Sequence, residues 1–150
     1  MTATLIIGPA WVGDMVMAQS LFHLLRAQEP EMAIDVVGPP WFVPLVGRMP
    51  EVRRGIPLEV AHGQFALGAR RALGKSLRAA GYDRAIVLPR SFKSALVPWF
   101  AGIPVRTGFA AELRGLLLND ERRLDRRLLD QTVKRFLALG VPVGATVPGP

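Results

Sequence analysis

The sequence predicts an α/β domain, a Rossmann-like three-layer fold around a mostly parallel sheet. Three observations predict it. Short apolar runs recur along the chain, each run is closed by glycine or proline, and between them lie longer segments with apolar residues every three or four positions. Strands that alternate with helices in this way imply a sheet covered on both faces, joined by right-handed crossovers.

The elements follow in order. Residues 4–7, Thr-Leu-Ile-Ile, form an apolar run stopped by Gly8-Pro9, the pattern of a buried strand. From Asp14 onward Met17, Leu21, Leu24, Leu25 and Gln28 keep helical spacing until Glu29-Pro30. Residues 33–37, Ala-Ile-Asp-Val-Val, read as a second strand before Gly38-Pro39-Pro40. Residues 41–49 suit a short helix ending before Pro50, and residues 54–58 a weaker strand. Residues 65–80 form a helical pattern in which Leu67, Ala69, Leu73, Leu77 and Ala80 alternate with Arg70, Arg71, Lys75 and Arg78, with Gly81 as its stop. Residues 84–89 read as a strand and residues 91–101 as a helix capped by Ser91. Residues 105–109 suit another strand, residues 120–127 are densely charged, and residues 129–139 form a last helix.

The length of 150 residues suits one domain with a single core, here residues 1–140, followed by a Gly/Pro-rich linker at 141–150. Absence of cysteine excludes disulfides, thiolate metal sites and a thiol nucleophile, and fits a reducing compartment. His23 and His62 lack metal-ligand spacing, and His23 falls within the first helix as a packed or surface residue. The net charge is +7, unevenly spread: residues 1–47 carry Arg26 alone against four acids, and the rest carries 18 Lys/Arg against 8 acids. Such a balance favours phosphate-bearing partners: nucleic acid, an anionic membrane surface or a phosphorylated substrate. No basic residue precedes the apolar start, and Gly8-Pro9 and Asp14 interrupt it, so neither a signal peptide nor a membrane span is expected.

Two turns could carry chemistry. Gly8-Pro9-Ala10-Trp11-Val12-Gly13-Asp14 joins the first strand to the first helix, where a ligand can meet free backbone N–H groups. Its glycine spacing is not that of the dinucleotide fingerprint. Asp14 reads either as an N-cap satisfying the Met17 N–H or as a catalytic carboxylate. Pro89-Arg90-Ser91-Phe92-Lys93-Ser94 also follows a strand and opens a helix. Its cations and hydroxyls suit a phosphate or carboxylate ligand, and equally a capped helix with two solvated cations. Both turns are expected at the same sheet edge. Arg70, Arg71, Lys75 and Arg78 read as a solvated helix face, as do Arg122, Arg123, Arg126 and Arg127 among their acids. Trp11, Trp41 and Trp99 stand in apolar settings as core or cleft-wall residues. Nucleic-acid binding would instead need aromatics exposed among the cations.

Residues 7–21, Ile-Gly-Pro-Ala-Trp-Val-Gly-Asp-Met-Val-Met-Ala-Gln-Ser-Leu, resemble the opening of the heptosyltransferases of glycosyltransferase family 9. Tyr82-Asp83-Arg84-Ala85, Leu88-Pro89, residues 91–98, Ala101-Gly102-Ile103-Pro104, Arg106-Thr107-Gly108 and Leu117-Leu118-Asn119-Asp120 continue the likeness in order. The resemblance implies the N-terminal half of a GT-B enzyme, which takes the acceptor while a C-terminal domain outside this chain binds the nucleotide-sugar donor. It implies inverting transfer of L-glycero-D-manno-heptose from ADP-heptose to the inner core of lipopolysaccharide, with no cofactor and no catalytic metal. Asp14 would be the general base. Trp11, Gly13, Arg90, Ser91, Lys93 and Arg106 would lie on the acceptor side.

The partners implied are a phosphorylated lipid A–Kdo–heptose acceptor and the donor-binding domain. Location is cytoplasmic, with peripheral contact at the inner face of the inner membrane, and no nucleic acid is bound. The Gly-Pro-x-Trp-x-Gly-Asp opening points to the member that adds the second heptose to heptosyl-Kdo2-lipid A. The alternatives are a family member with another acceptor and a stand-alone basic α/β module for nucleic acid or an anionic membrane. Without the donor half, this chain alone is expected neither to turn over nor to hold ADP tightly.

Overall fold

A computed structural model describes residues 2–60, 64–143 and 145–147; His62 and part of the Gly/Pro-rich tail lie outside the described residues. Six strands form one sheet: β1 (Ala3–Ile7), β2 (Ala33–Gly38), β3 (Arg54–Pro57), β4 (Arg84–Val87), β5 (Val105–Phe109) and β6 (Asp120–Arg122). Their order is β3-β2-β1-β4-β5-β6, and every pairing is parallel. Ile7 lies level with Val37 on one side and Val87 on the other, so β1 is central.

The period-two alternation of a strand divides the core into two layers. Leu5, Ile7, Val37, Ala85 and Val87 face one layer, which is covered by α3 (Leu67–Leu77) and α4 (Leu96–Phe100). Ile6, Ile34, Val36 and Ile86 face the other, which is covered by α1 (Val12–Gln28), α2 (Val43–Val46) and α5 (Thr132–Ala138). Each fully buried large side chain on α1, among them Leu21, Phe22 and Leu25, contributes about 1.5–3 kcal/mol of transfer free energy. The chain moves outward from β1 to β3 with helices on one face, then from β4 to β6 with helices on the other. All crossovers therefore share one hand.

The expected strands and helices are present, with altered ends. The first helix begins at Val12, two residues before Asp14, because extended Trp11 occupies the cap position. Residues 65–80 shorten to α3 plus a 3-10 turn at Arg78–Ala80, and Gly81 ends it with φ 66°, in the left-handed region that suits glycine. Residues 91–101 become a 3-10 turn, Lys93–Ala95, leading into α4; no Ser91 cap forms, and the Ser91 carbonyl accepts from Ser94 Oγ at 2.6 Å. The last helix starts at Thr132 instead of residue 129, since Asp125 Oδ1 accepts from Arg127 N in a turn upstream of it. Val141, just past the expected domain limit, is buried, and its carbonyl accepts from Arg122 at 2.8 Å.

Within the charged stretch at 120–127 lies an unexpected strand, β6. Asp120 holds Arg122 through two bonds of 2.9 Å and accepts from Thr107 on β5 at 2.7 Å. Arg122 is therefore mostly enclosed rather than part of a solvated face. Arg70 departs from its expected solvated face in the same way: it is buried and folds back to donate to the Phe65 carbonyl at 2.8 Å.

Candidate functional site

The strand order makes β1 and β4 neighbours, although their outgoing connections run to opposite faces of the sheet. That is the topological switch point, where an open α/β sheet leaves a crevice at the carboxyl ends of its strands. The turns at 8–14 and 89–94 leave those two strands at that edge, as the sequence led us to expect. Backbone bonds extend the pairing into them: Gly8 N donates to Val37 O at 2.8 Å and Leu88 N to Ile7 O at 3.1 Å.

On the β1 side, Gly8 lets α1 close onto the sheet, since a Cβ there would lie 2.6 Å from Met15 Cε. Gly13 differs. It has no neighbour within 4 Å of a built Cβ and sits in the first turn of α1, so neither packing nor conformation within this chain requires glycine. Its absent side chain leaves the helix N-terminus open. Asp14 stands one residue further, half-exposed, and is not the cap expected from the sequence: the helix start has no side-chain cap bond. The carboxylate makes no hydrogen bond or ion pair with any described residue and is available to a ligand, in the helix turn that favours an anion. Trp11 is 63% exposed, which rules out the core and leaves the cleft-wall alternative. Trp41 and Trp99 are also exposed. The tryptophan settings therefore do not speak against nucleic acid.

On the β4 side, Arg90 is exposed and Lys93 half-buried, and neither is bonded to a described residue. Phe92 stacks on Phe65, with ring centroids 6.4 Å apart, bringing the segment before α3 against the turn. Glu112 Oε1 accepts from Phe92 N at 3.3 Å.

Beneath this turn is a residue that sequence reasoning missed. Arg114 is fully buried, and its guanidinium donates to the carbonyls of Pro89, Ser91 and Phe109 and to Ser94 Oγ. Burial pushes its pKa down to about 10, against the pull of Glu112 and Glu121, so it stays charged at neutral pH. One arginine in a loop of Ala, Glu, Leu and Gly gave no pattern. The only available signal was Gly108, where a Cβ would lie 2.7 Å from Arg114 Nη2.

The structure does not bring Arg106 to this site. Its guanidinium donates to the carbonyls of Leu117 at 2.5 Å and Ile103 at 2.7 Å, and Ile103 precedes the amino end of β5. The residue ties loops together away from the crevice. A further buried cluster is also remote: Asp35 on β2 accepts from Tyr82 at 2.5 Å, Arg53 at 2.6 Å and 3.0 Å, and Arg54 at 3.2 Å. Burial raises the Asp35 pKa, but the bonds from Arg53, Tyr82 and Arg54 outweigh it and hold the carboxyl below its ordinary value. Among the described residues no group of three His, Asp or Glu side chains is placed to hold a metal ion.

Fold and site together define an α/β domain whose switch point carries a free carboxylate on the turn after β1 and two free cations on the turn after β4. The model of glycosyltransferase family 9 (heptosyltransferase) matches residues 70–147, more than half of the chain, and the chain belongs to that family. Lipopolysaccharide heptosyltransferase 2 of Escherichia coli (strain K12) is 55% identical over 140 residues, covering 93% of this chain and 40% of that protein. Lipooligosaccharide heptosyltransferase 2 of Haemophilus influenzae is 52% identical over 135 residues, covering 90% and 38%. The solved structure of E. coli ADP-heptose lps heptosyltransferase II superposes with a TM-score of 0.86 at 53% identity, over 96% of this chain and 41% of that one. The chain thus spans about two fifths of the length of the curated relatives it matches.

Proposed function

We propose that this chain is the acceptor-binding half of an inverting heptosyltransferase that adds the second heptose of the lipopolysaccharide inner core. The donor is ADP-L-glycero-D-manno-heptose, bound mainly by a further α/β domain. The observation that carries the reading is the crevice between β1 and β4, with unbonded Asp14 on one side and Arg90 and Lys93 on the other. Likeness at 55% identity to a lipopolysaccharide heptosyltransferase 2 supports the choice of acceptor.

The acceptor hydroxyl oxygen forms a bond to the anomeric carbon from the face opposite the diphosphate. The bond from that carbon to the diphosphate oxygen breaks, ADP leaves with the electron pair, and the hydroxyl proton passes to the Asp14 carboxylate. With an oxocarbenium-like transition state the proton leaves late, and a well-placed carboxylate is a sufficient base. Arg90, Lys93 and the Ser91 hydroxyl meet the acidic sugars and phosphates of the acceptor. Trp11 offers an exposed aromatic wall, and Gly13 allows close approach. No residue here is assigned to a cofactor or metal. The acceptor is lipid-linked, so the enzyme works at the cytoplasmic face of the inner membrane by peripheral contact. No helix among the described residues is long and apolar enough to cross a membrane.

The test is Asp14→Asn and Asp14→Ala in the complete transferase, assayed with ADP-heptose and acceptors carrying either no heptose or one. Because Asp14 caps nothing, both variants should melt near the parent, while kcat falls by about 10²–10⁴. Near-parental turnover in either variant would remove Asp14 as the base. Preference for the heptose-free acceptor would replace the assigned acceptor.

A further inference from the structure

The Pro89–Ser94 turn has no regular secondary structure to hold its first half, and its two cations are unbonded. Something else must set its shape. Three of its polar atoms, the Pro89 and Ser91 carbonyls and Ser94 Oγ, converge on Arg114 Nη1, and Nη2 takes the Phe109 carbonyl at 2.5 Å. Ser94 Oγ in turn donates to Ser91 O at 2.6 Å. One planar guanidinium thus joins the chain leaving β4 to the chain leaving β5. Its fixed fork holds acceptors on two separate nitrogens in a set geometry, whereas a lysine ammonium offers its three donors from a single rotating point.

Arg114 follows Glu112 and Leu113, two non-glycine residues with φ of 46° and 61°. Backbone of this kind persists only where its surroundings over-determine it, and it collects at functional sites. No carboxylate bonds the guanidinium, and its Nε has no partner. The guanidinium is thus a buried positive charge bonded to neutral acceptors alone, with Glu112 and Glu121 acting on it only through space. The side chain is fully buried, so a ligand cannot touch it.

We propose that Arg114 is a positioning residue for the acceptor: it locks the Pro89–Ser94 turn in the shape that presents Arg90 and Lys93, and sets a fixed positive charge behind them. This rests on the reading of the turn as an acceptor-binding segment. Carbonyls drawn inward onto the guanidinium leave the outer side of the turn to the cations. Without the clamp the turn relaxes and its cations lose their common aim.

The experiment uses the complete transferase with Arg114→Lys, Gly108→Ala, Arg90→Ala and the Arg114→Lys/Arg90→Ala double variant. Arg114→Lys keeps the charge and loses the fork. Gly108→Ala keeps the guanidinium and displaces it, because the added Cβ would lie 2.7 Å from Nη2. Each should raise the acceptor KM, by up to about 10²-fold for Arg114→Lys, with the ADP-heptose KM and kcat changed much less. The double variant should be little worse than the more harmful single one, as expected of residues that act through one another.

Several results would overturn the proposal. One is an acceptor KM unchanged in both Arg114→Lys and Gly108→Ala, whatever their melting temperatures. Another is effects of Arg114→Lys and Arg90→Ala that multiply independently. If Arg90→Ala and Lys93→Ala both leave the acceptor KM unchanged, the acceptor reading of the turn falls and takes the proposal with it. If they raise it and the Arg114→Lys and Gly108→Ala variants do not, only the proposal falls. Should Arg114→Lys fail to fold, Gly108→Ala and its double variant with Arg90→Ala decide by the same criteria.

Discussion

The same substitution, glycine to alanine, should have opposite consequences at two helical positions. At Gly74 on α3 a Cβ would lie 2.6 Å from Phe100 Cβ, 2.8 Å from Val97 O and 3.2 Å from Ala101 N, all on or next to α4. Carbon atoms need about 3.5–4.0 Å, so the two helices would have to separate by roughly 1 Å. Separation would open the packing of Leu77 with Leu96 and Val97 and strain the bond from Arg78 Nε to the Phe100 carbonyl at 2.8 Å. Overpacking of this kind costs about 1–3 kcal/mol, and the helix propensity of alanine returns up to about 1 kcal/mol. Gly74→Ala should therefore destabilise the domain by about 1–2 kcal/mol, a fall in Tm of roughly 2–8 °C at this size.

Gly13→Ala meets nothing within 4 Å, so stability should hold or rise by up to about 0.5 kcal/mol, less than the mid-helix value because the site is in the first turn. Its effect should appear in the complete transferase as a lower kcat/KM for the acceptor. Thermal and urea unfolding of the 150-residue chain, beside steady-state kinetics of the whole enzyme, measure both. A Gly74→Ala variant as stable as the parent would refute the packing argument. A Gly13→Ala variant with parental kcat/KM would refute the claim that this glycine keeps the site open.

Asp35→Asn should destabilise the domain by roughly 2–4 kcal/mol at pH 7, near the cost of breaking a buried pair, reduced because Arg53 and Arg54 are half-exposed and return to water. Its carboxyl is held below the ordinary value, so its contribution is full above the unfolded pKa of about 3.9 and is lost as pH falls through the lower folded one. The gap between urea melts of parent and variant should begin to close below about pH 4 and go on narrowing towards the lower folded value, and a gap that widens on acidification would contradict the assignment. Arg106→Met should lower stability by about 1–3 kcal/mol through the orphaned Leu117 and Ile103 carbonyls, with the acceptor KM of the complete enzyme unchanged. A selective rise in that KM would return Arg106 to the acceptor site.

The sequence by itself determined the fold class and the two turns of interest. Runs such as Leu5-Ile6-Ile7 and Ala85-Ile86-Val87 are apolar on both faces, and their shortness and alternation with helical segments point to strands of a covered parallel sheet. Glycine and proline at 8–9 and 38–40 stop those runs wherever the chain goes afterwards, so turn positions were legible locally. Tertiary structure alone decided which strands are neighbours. β2 lies on one side of β1, and no local pattern places β4 on the other side, beside the turn that carries Asp14; that depends on the reversal of strand order after β3. The fate of each arginine was likewise decided at long range. Arg70, Arg90, Arg106, Arg114 and Arg122 look alike in sequence, yet Arg90 stays free while the others serve carbonyls or carboxylates. A guanidinium can be buried wherever the fold supplies enough fixed acceptors, and the acceptors of Arg114 come from residues 5 to 25 positions away. β6 was hidden for the same reason: an edge strand held by Thr107, Asp120 and Arg122 relies on polar partners from β5 and the chain end, and so lacks the apolar run by which the other strands were read.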